Sequence, residues 1–232
     1  MTSGEASRGQ RGRRPGSRGR RAGGRRAGES GTREAIAEAA RGQFADFGYH
    51  GATIRGIAAA AEVDPALVHH YYGTKEALFA AAMRIPVIPS EVLTAALSSH
   101  AADGQDFGAH LVRTALTLWE SAGIRETFLG LLRSAVTSEQ ASVMLREFMS
   151  DSILSTIARF TGHPGLNGQT NPAEAEYRAA MVATQMIGLA LARLVLGLPA
   201  VTGASIDELA ATVGPSVERY LSGDIDLPAR LA

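Results

Sequence analysis

The sequence predicts an all-α fold, and three observations carry that prediction. Beyond residue 31, apolar residues recur at three- and four-residue spacing through most of the chain, the period of a helix with one buried face. Helix start signals precede these stretches (Thr32, Thr53, Asp64-Pro65, Thr74, Asn171-Pro172, Ser205) and glycines close several of them (Gly48, Gly73). No segment alternates apolar and polar residues as a half-buried strand does. At 232 residues and 45% hydrophobic, the chain can bury a sizeable core, in one large domain or two.

The net charge of zero conceals an asymmetry. Residues 1–31 carry nine arginines against Glu5 and Glu29, so this arm is +7 and the remainder −7. The arm is rich in Gly, Arg and Ser and has no large apolar side chain, so it cannot offset its ordering entropy; residues 1–30 read as disordered. Such an arm suits a polyanion. Zero cysteines exclude disulfides and thiolate chemistry, and fit a reducing cytoplasm. The run Met181–Leu198 carries Gln185 and Arg193 and falls short of a bilayer span. A soluble, cytoplasmic, nucleoid-associated protein with no membrane partner is expected.

In order, a first helix runs from an N-cap at Thr32 to Phe47, with Ile36, Ala40, Phe44 and Phe47 on its apolar stripe. A second starts at Thr53. A third starts at Asp64-Pro65, an Asp N-cap followed by Pro at the first helical position, and ends at Gly73. Thr74 caps a fourth, reaching about Arg84, where "IPVIP" (85–89) breaks the helix and marks a domain boundary. Longer helices are expected near 91–98, 107–121, 125–136, 139–160, 172–197 and 205–221, the last opening on a Ser205/Glu208 capping box and kinked at Gly214-Pro215. The domains are therefore 1–30 (arm), 31–84, 85–225 and a tail, 226–232.

The second and third helices are separated only by "EVD", with small and apolar residues where two short helices would cross: a helix-turn-helix. Its third helix would enter the major groove of duplex DNA with its N-terminal half towards base edges. This accounts for the sequence "HHYY" (69–72): His69, His70 and Tyr71 suit phosphate oxygens, while Tyr72 packs inward.

The segment Arg33–Phe79 resembles the N-terminal domain of the TetR family of bacterial regulators. The resemblance rests on Phe47-Gly48-Tyr49, Thr53, Ile57-Ala58 and the closing Tyr72-Gly-Thr-Lys-Glu76. The stretch "RAAMVATQMIGLALARLVL" resembles the C-terminal domain of some actinobacterial members. The resemblance implies phosphate or base contacts from Thr53 and Arg55, base contacts from Pro65, Ala66 and Leu67, backbone contacts from His69 and Tyr71, and a phosphate grip by Lys75. His69 stands where the family has tyrosine, and Glu62 where its turn has glycine; a left-handed Glu62 would be strained by about 1–2 kcal/mol. Arg13, Arg14, Arg20 and Arg21 of the arm would track phosphates or enter a narrow minor groove.

The resemblance also implies a C-terminal ligand-binding and dimerisation domain, a pseudo-palindromic operator, and a homodimer built from helices 172–197 and 205–221. A small hydrophobic effector would bind near Phe107, His110, Trp119, Phe128, Met144, Phe148 and Gln185. No cofactor, metal site or catalytic residue is expected: the six histidines are scattered and no hydrolase, P-loop or metalloprotease motif occurs. The alternatives are an architectural DNA-binding protein relying on its arm, and an enzyme using the helical pocket.

Overall fold

The computed structural model describes residues 23–100, 106–121, 123–161 and 171–228, and among these every regular element is helical. Helix α1 (Gly23–Gly51) buries Ile36, Ala40 and Phe44 completely. It is already helical at Gly23, the first described residue, rather than opening at Thr32, so residues 23–30, read as part of a disordered arm, are helical. Once a buried stripe has nucleated a helix, each further residue adds one hydrogen bond, and polar flanks join it. Helical geometry fails at Gly48 (φ 74°, ψ 179°), as expected. Phe47, placed on the buried stripe by its spacing, is 58% exposed; Tyr49, beyond the glycine, turns into the core instead.

The next three helices start at their expected caps. Thr53 opens α2 (Ile54–Ala60), Asp64 opens α3 (Pro65–Tyr72) and Thr74 opens α4 (Lys75–Ala82), each side chain accepting a backbone N–H of the first turn. Helices α2 and α4 end alike: Val63 N–H donates to Ala58 O (2.9 Å) with Glu62 N–H to Ala59 O, and Ile85 N–H donates to Ala80 O (2.7 Å) with Arg84 N–H to Ala81 O. Both are Schellman motifs, which place one residue in the left-handed region; here these are Glu62 (φ 55°) and Arg84 (φ 57°).

Beyond the 85–88 break come α5 (Pro89–His100), α6 (Phe107–Glu120), α7 (Ile124–Thr137) and α8 (Glu139–Phe148). The single helix expected over 139–160 contains a π-helical turn, Met149–Leu154, before α9 (Ser155–Phe160). Helix α10 (Pro172–Ala190) also runs into a π turn, Leu191–Val195, followed by α11 (Pro199–Thr202) and α12 (Ile206–Ser222). The Ser205/Glu208 capping box forms, and hydrogen bonds from Ser205 hold the Glu208 carboxyl below its usual range. Helix α12 carries Pro215 within it and runs on to Ser222.

Two cores result. The first unites α1–α4 around Phe44, Ile57, Val68 and Phe79, and takes in Met144 and Phe148 of α8. The second packs α6, α9, α10 and α12 around Leu116, Ile157, Val182 and Val217. Helices α6 and α12 cross with glycine on glycine: a Cβ at Gly108 would strike the Gly214 carbonyl, and one at Gly214 would lie 2.6 Å from Ala109 Cα. Glu218 of α12 accepts the Gly108 N–H (2.8 Å) at the start of α6. Helix α10, with its π turn, is long and apolar enough to cross a bilayer by length and composition, contrary to the reading of 181–198. Instead its buried Arg178 pairs with Glu174 (2.7 Å) and donates to the Tyr220 and Gly223 carbonyls at the end of α12.

Candidate nucleic-acid interface and ligand cavity

One side of α3 anchors it and the other is bare. Val68 is buried, and Tyr71 and Tyr72 pack half-buried on the first core. The Tyr72 hydroxyl donates to Arg33 O (2.7 Å) beneath the Arg33 guanidinium, and burial raises its pKa. Pro65, Ala66, Leu67, His69 and His70 are exposed, as are Thr53 and Arg55 on α2. Asp64 accepts the Ala66 N–H (2.7 Å), fixing the N-terminal turn of α3 that would meet base edges. Thr53 Oγ accepts the Gly56 N–H (3.0 Å) and so keeps its own proton for a phosphate oxygen. His69 Nδ1 lies 3.4 Å from Gly73 O, and the His70 ring stands edge-on to Tyr71 at 5.2 Å.

Lys75 departs from the expected pattern. It is half-buried, its Nζ donates to His50 O (3.2 Å), and it lies 5.1 Å from the Tyr49 ring centre. Burial lowers its pKa, opposed by the charges of Asp151 and Glu147. It thus belongs to the seam between the helix-turn-helix and α8. Arg13, Arg14, Arg20 and Arg21 lie outside the described residues.

Glu62 has the left-handed backbone that its position implied. Glu62→Gly should relieve about 1–2 kcal/mol of strain, less the about 0.5–1 kcal/mol that glycine loses in chain entropy. The expected result is a melting temperature raised by up to roughly 6 °C in thermal unfolding; a lowered one would mean that the turn bears no strain.

Between the two cores lies a cavity of ≈ 270 Å³, near the lower end of the roughly 300–1,000 Å³ usual for ligand pockets. Its walls come from α5, α6, α7, α8 and the π turn that follows it, α9 and α10, together with Ile85, Pro86 and Val87 of the linker. Thr114, Thr127 and Trp119 are its polar side chains, and no charged residue among those described lines it. Of the seven expected contacts, Trp119, Phe128 and Phe148 line this cavity. Phe107 faces a separate recess of ≈ 20 Å³. His110, Met144 and Gln185 line neither: Met144 is drawn into the first core, and beside Gln185 on α10 Thr184 Oγ1 donates to Ala180 O (2.8 Å). The linker's share of the wall was missed, although the apolar run 85–88 between two helices was a sign that it packs on something.

The first core contains an aromatic cluster that spans both halves of the chain. Phe79 and Phe148 stack with centroids 4.3 Å apart, and Tyr49 meets each edge-on, at 5.2 and 5.5 Å. Tyr49 also hydrogen-bonds Ser152 of the π turn, and burial raises its pKa.

Residues 36–82 match the family described as "Bacterial regulatory proteins, tetR family", and residues 105–221 match "Tetracyclin repressor-like, C-terminal domain". Among solved structures, a TetR-family regulator from Streptomyces coelicolor is similar at 33% identity, over 88% of this chain and 98% of that one, with a TM-score of 0.43. A transcriptional regulator from Rhodococcus sp. Rha1 is 22% identical over 84% and 99% (TM-score 0.40). NalD of Pseudomonas aeruginosa, the secondary repressor of the MexAB-OprM multidrug efflux pump, is 18% identical over 85% and 100% (TM-score 0.41). No curated protein gives a match. With one family match over the helix-turn-helix and another over half of the chain, the protein belongs to the TetR family of bacterial regulators and is a DNA-binding transcriptional regulator.

Proposed function

We propose that the protein is a dimeric repressor, released from a pseudo-palindromic operator when a small hydrophobic ligand fills the cavity. The observation that carries this reading is that the cavity and the DNA-reading domain share walls. Phe148 lines the cavity and is buried in the first core, and the linker that leaves α4 forms another side of the cavity. A ligand that discriminates between two arrangements by about 2.7 kcal/mol would lower operator affinity 100-fold. The apolar lining favours an uncharged ligand, because an ionised group would be desolvated there without a partner.

Dimerisation is supported by the outer flank of α10 and α12. Thr184 and Gly188 on α10, Val195 on the π turn that follows it, and Ala211, Thr212, Pro215 and Ser216 on α12 are small or apolar and exposed in the single chain. A second copy across a two-fold axis would cover them and hold two α3 helices about 34–36 Å apart.

Binding to the DNA beside the protein's own gene, against scrambled DNA over a salt series, tests the reading. Leu67→Glu puts a carboxylate on the exposed face of α3. It should lose about 1–3 kcal/mol per half-site, hence roughly 30-fold or more over two, with random DNA weakened less because only the phosphate repulsion acts there. Replacing Arg13, Arg14, Arg20 and Arg21 by Ala should leave discrimination intact and flatten the log–log salt slope by up to about 3.6. If the arm variant loses all binding, or both DNAs bind alike, the architectural reading replaces this one.

A further inference from the structure

Where α1 ends, a histidine lies between two carboxylates of the C-terminal domain. The His50 backbone N–H donates to Glu147 Oε2 (2.9 Å), while its ring Nδ1 is 3.7 Å from Glu147 Oε1 and its ring Nε2 is 3.0 Å from Asp151 Oδ2. Lys75 closes the group from α4 through the His50 carbonyl. Gly48 makes the approach feasible: its φ of 74° turns the chain, and a Cβ there would lie 3.1 Å from Glu147 Oε2. The carboxylates sit at the end of α8 and on the π turn. That same turn sends Met149 and Ile153 into the cavity wall, while its Ser152 bonds Tyr49. One short π-helical segment therefore touches the cavity on one side and the end of α1 on the other. Such turns are rare and recur at functional sites.

We infer that His50, Glu147 and Asp151 form an interdomain latch by which the π turn at 149–154 sets the orientation of the helix-turn-helix according to cavity occupancy. These are positioning residues: none touches the cavity and none lies on the exposed face of α3. The inference rests on the ligand-responsive reading above and adds a route distinct from the 85–89 linker. All three side chains are partly exposed, His50 at 55%, Glu147 at 23% and Asp151 at 50%. Their loss should therefore leave the fold standing, since such pairs contribute little to stability.

The test uses a filled cavity in place of the ligand. Ala115→Phe on α6, and separately Ala183→Phe on α10, push a ring into the cavity, and operator affinity is measured in the full-length protein. Each filler that keeps its helical content and melting transition should change operator Kd by about fivefold or more, the lower end of ordinary coupling between sites. In a Glu147→Gln/Asp151→Asn background, or with His50→Ala, the same filler should change it less than about twofold. His50→Arg, which still presents N–H donors to both carboxylates, should restore the response. If the fillers act equally with and without the latch, the latch is only a structural contact and the inference is overturned, while the ligand-responsive reading stands. If neither filler alters operator affinity with the latch intact, that reading fails and the latch falls with it.

Discussion

Phe148→Ala should cost about 3–5 kcal/mol, the range for deleting a buried aromatic side chain. That is a large part of the roughly 5–15 kcal/mol that holds a typical domain together. Phe148 is 2% exposed, stacked on Phe79 and edge-on to Tyr49. Its removal leaves a void with two aromatic walls, and because Phe148 also lines the cavity, the void would open into it. The melting temperature should fall by at least about 6 °C at fixed protein concentration. Phe79→Ala should fall as far. The double variant should lose less than the sum, by the about 0.5–1.5 kcal/mol that an aromatic pair contributes beyond its area. Simple additivity would mean that the two rings stabilise separate domains, and the shared core would be wrong.

Gly214→Ala, the addition of a single methyl, is expected to destabilise comparably. The new Cβ would lie 2.6 Å from Ala109 Cα and 2.7 Å from Ala109 N. These are backbone atoms of α6 and cannot rotate away as a flexible side chain would. The helices must separate, and overpacking of this kind costs about 1–3 kcal/mol, occasionally more. Separation also draws Glu218 away from the Gly108 N–H, a charged hydrogen bond at a helix N-terminus contributing about 1.5–3 kcal/mol. The combined loss, about 2.5–6 kcal/mol, should appear in thermal unfolding. Gly108→Ala should behave alike, its Cβ meeting the Gly214 carbonyl. Gly130→Ala, at a helical glycine with open space around the added carbon, should instead be neutral or mildly stabilising. A Gly214→Ala transition within a degree or two of the unaltered protein would show that the helices do not touch there.

Sequence signals were most informative where the chemistry is local. Thr53, Asp64, Thr74, Asn171 and Ser205 all cap the helices they were expected to cap, because a cap joins residues two or three apart. The left-handed backbone at Glu62 was legible only through the resemblance, which places a glycine in that turn. Arg84 was missed although its motif is the same, because the apolar run after it read as a plain break. What stayed hidden depends on partners far along the chain. Glu218 reaches Gly108 across 110 residues, and His50 reaches Asp151 across 101. Neither pair has a spacing that could announce it. Met144 and Phe148 were expected near a ligand; Met144 packs in the first core and Phe148 belongs to both core and cavity wall, since periodicity tells which face of a helix is covered and not what covers it. The π turns have no sequence mark at all.

One placement makes the protein easier to interrogate than its composition suggests. Trp119 is the only tryptophan in the chain; it lines the cavity and stacks on Phe128 with centroids 5.8 Å apart. Indole fluorescence excited at the red edge of its absorption therefore comes from the cavity wall alone, undiluted by emitters elsewhere. Compound collections could be screened against unlabelled protein by the colour and intensity of that single emitter, before any operator sequence is known.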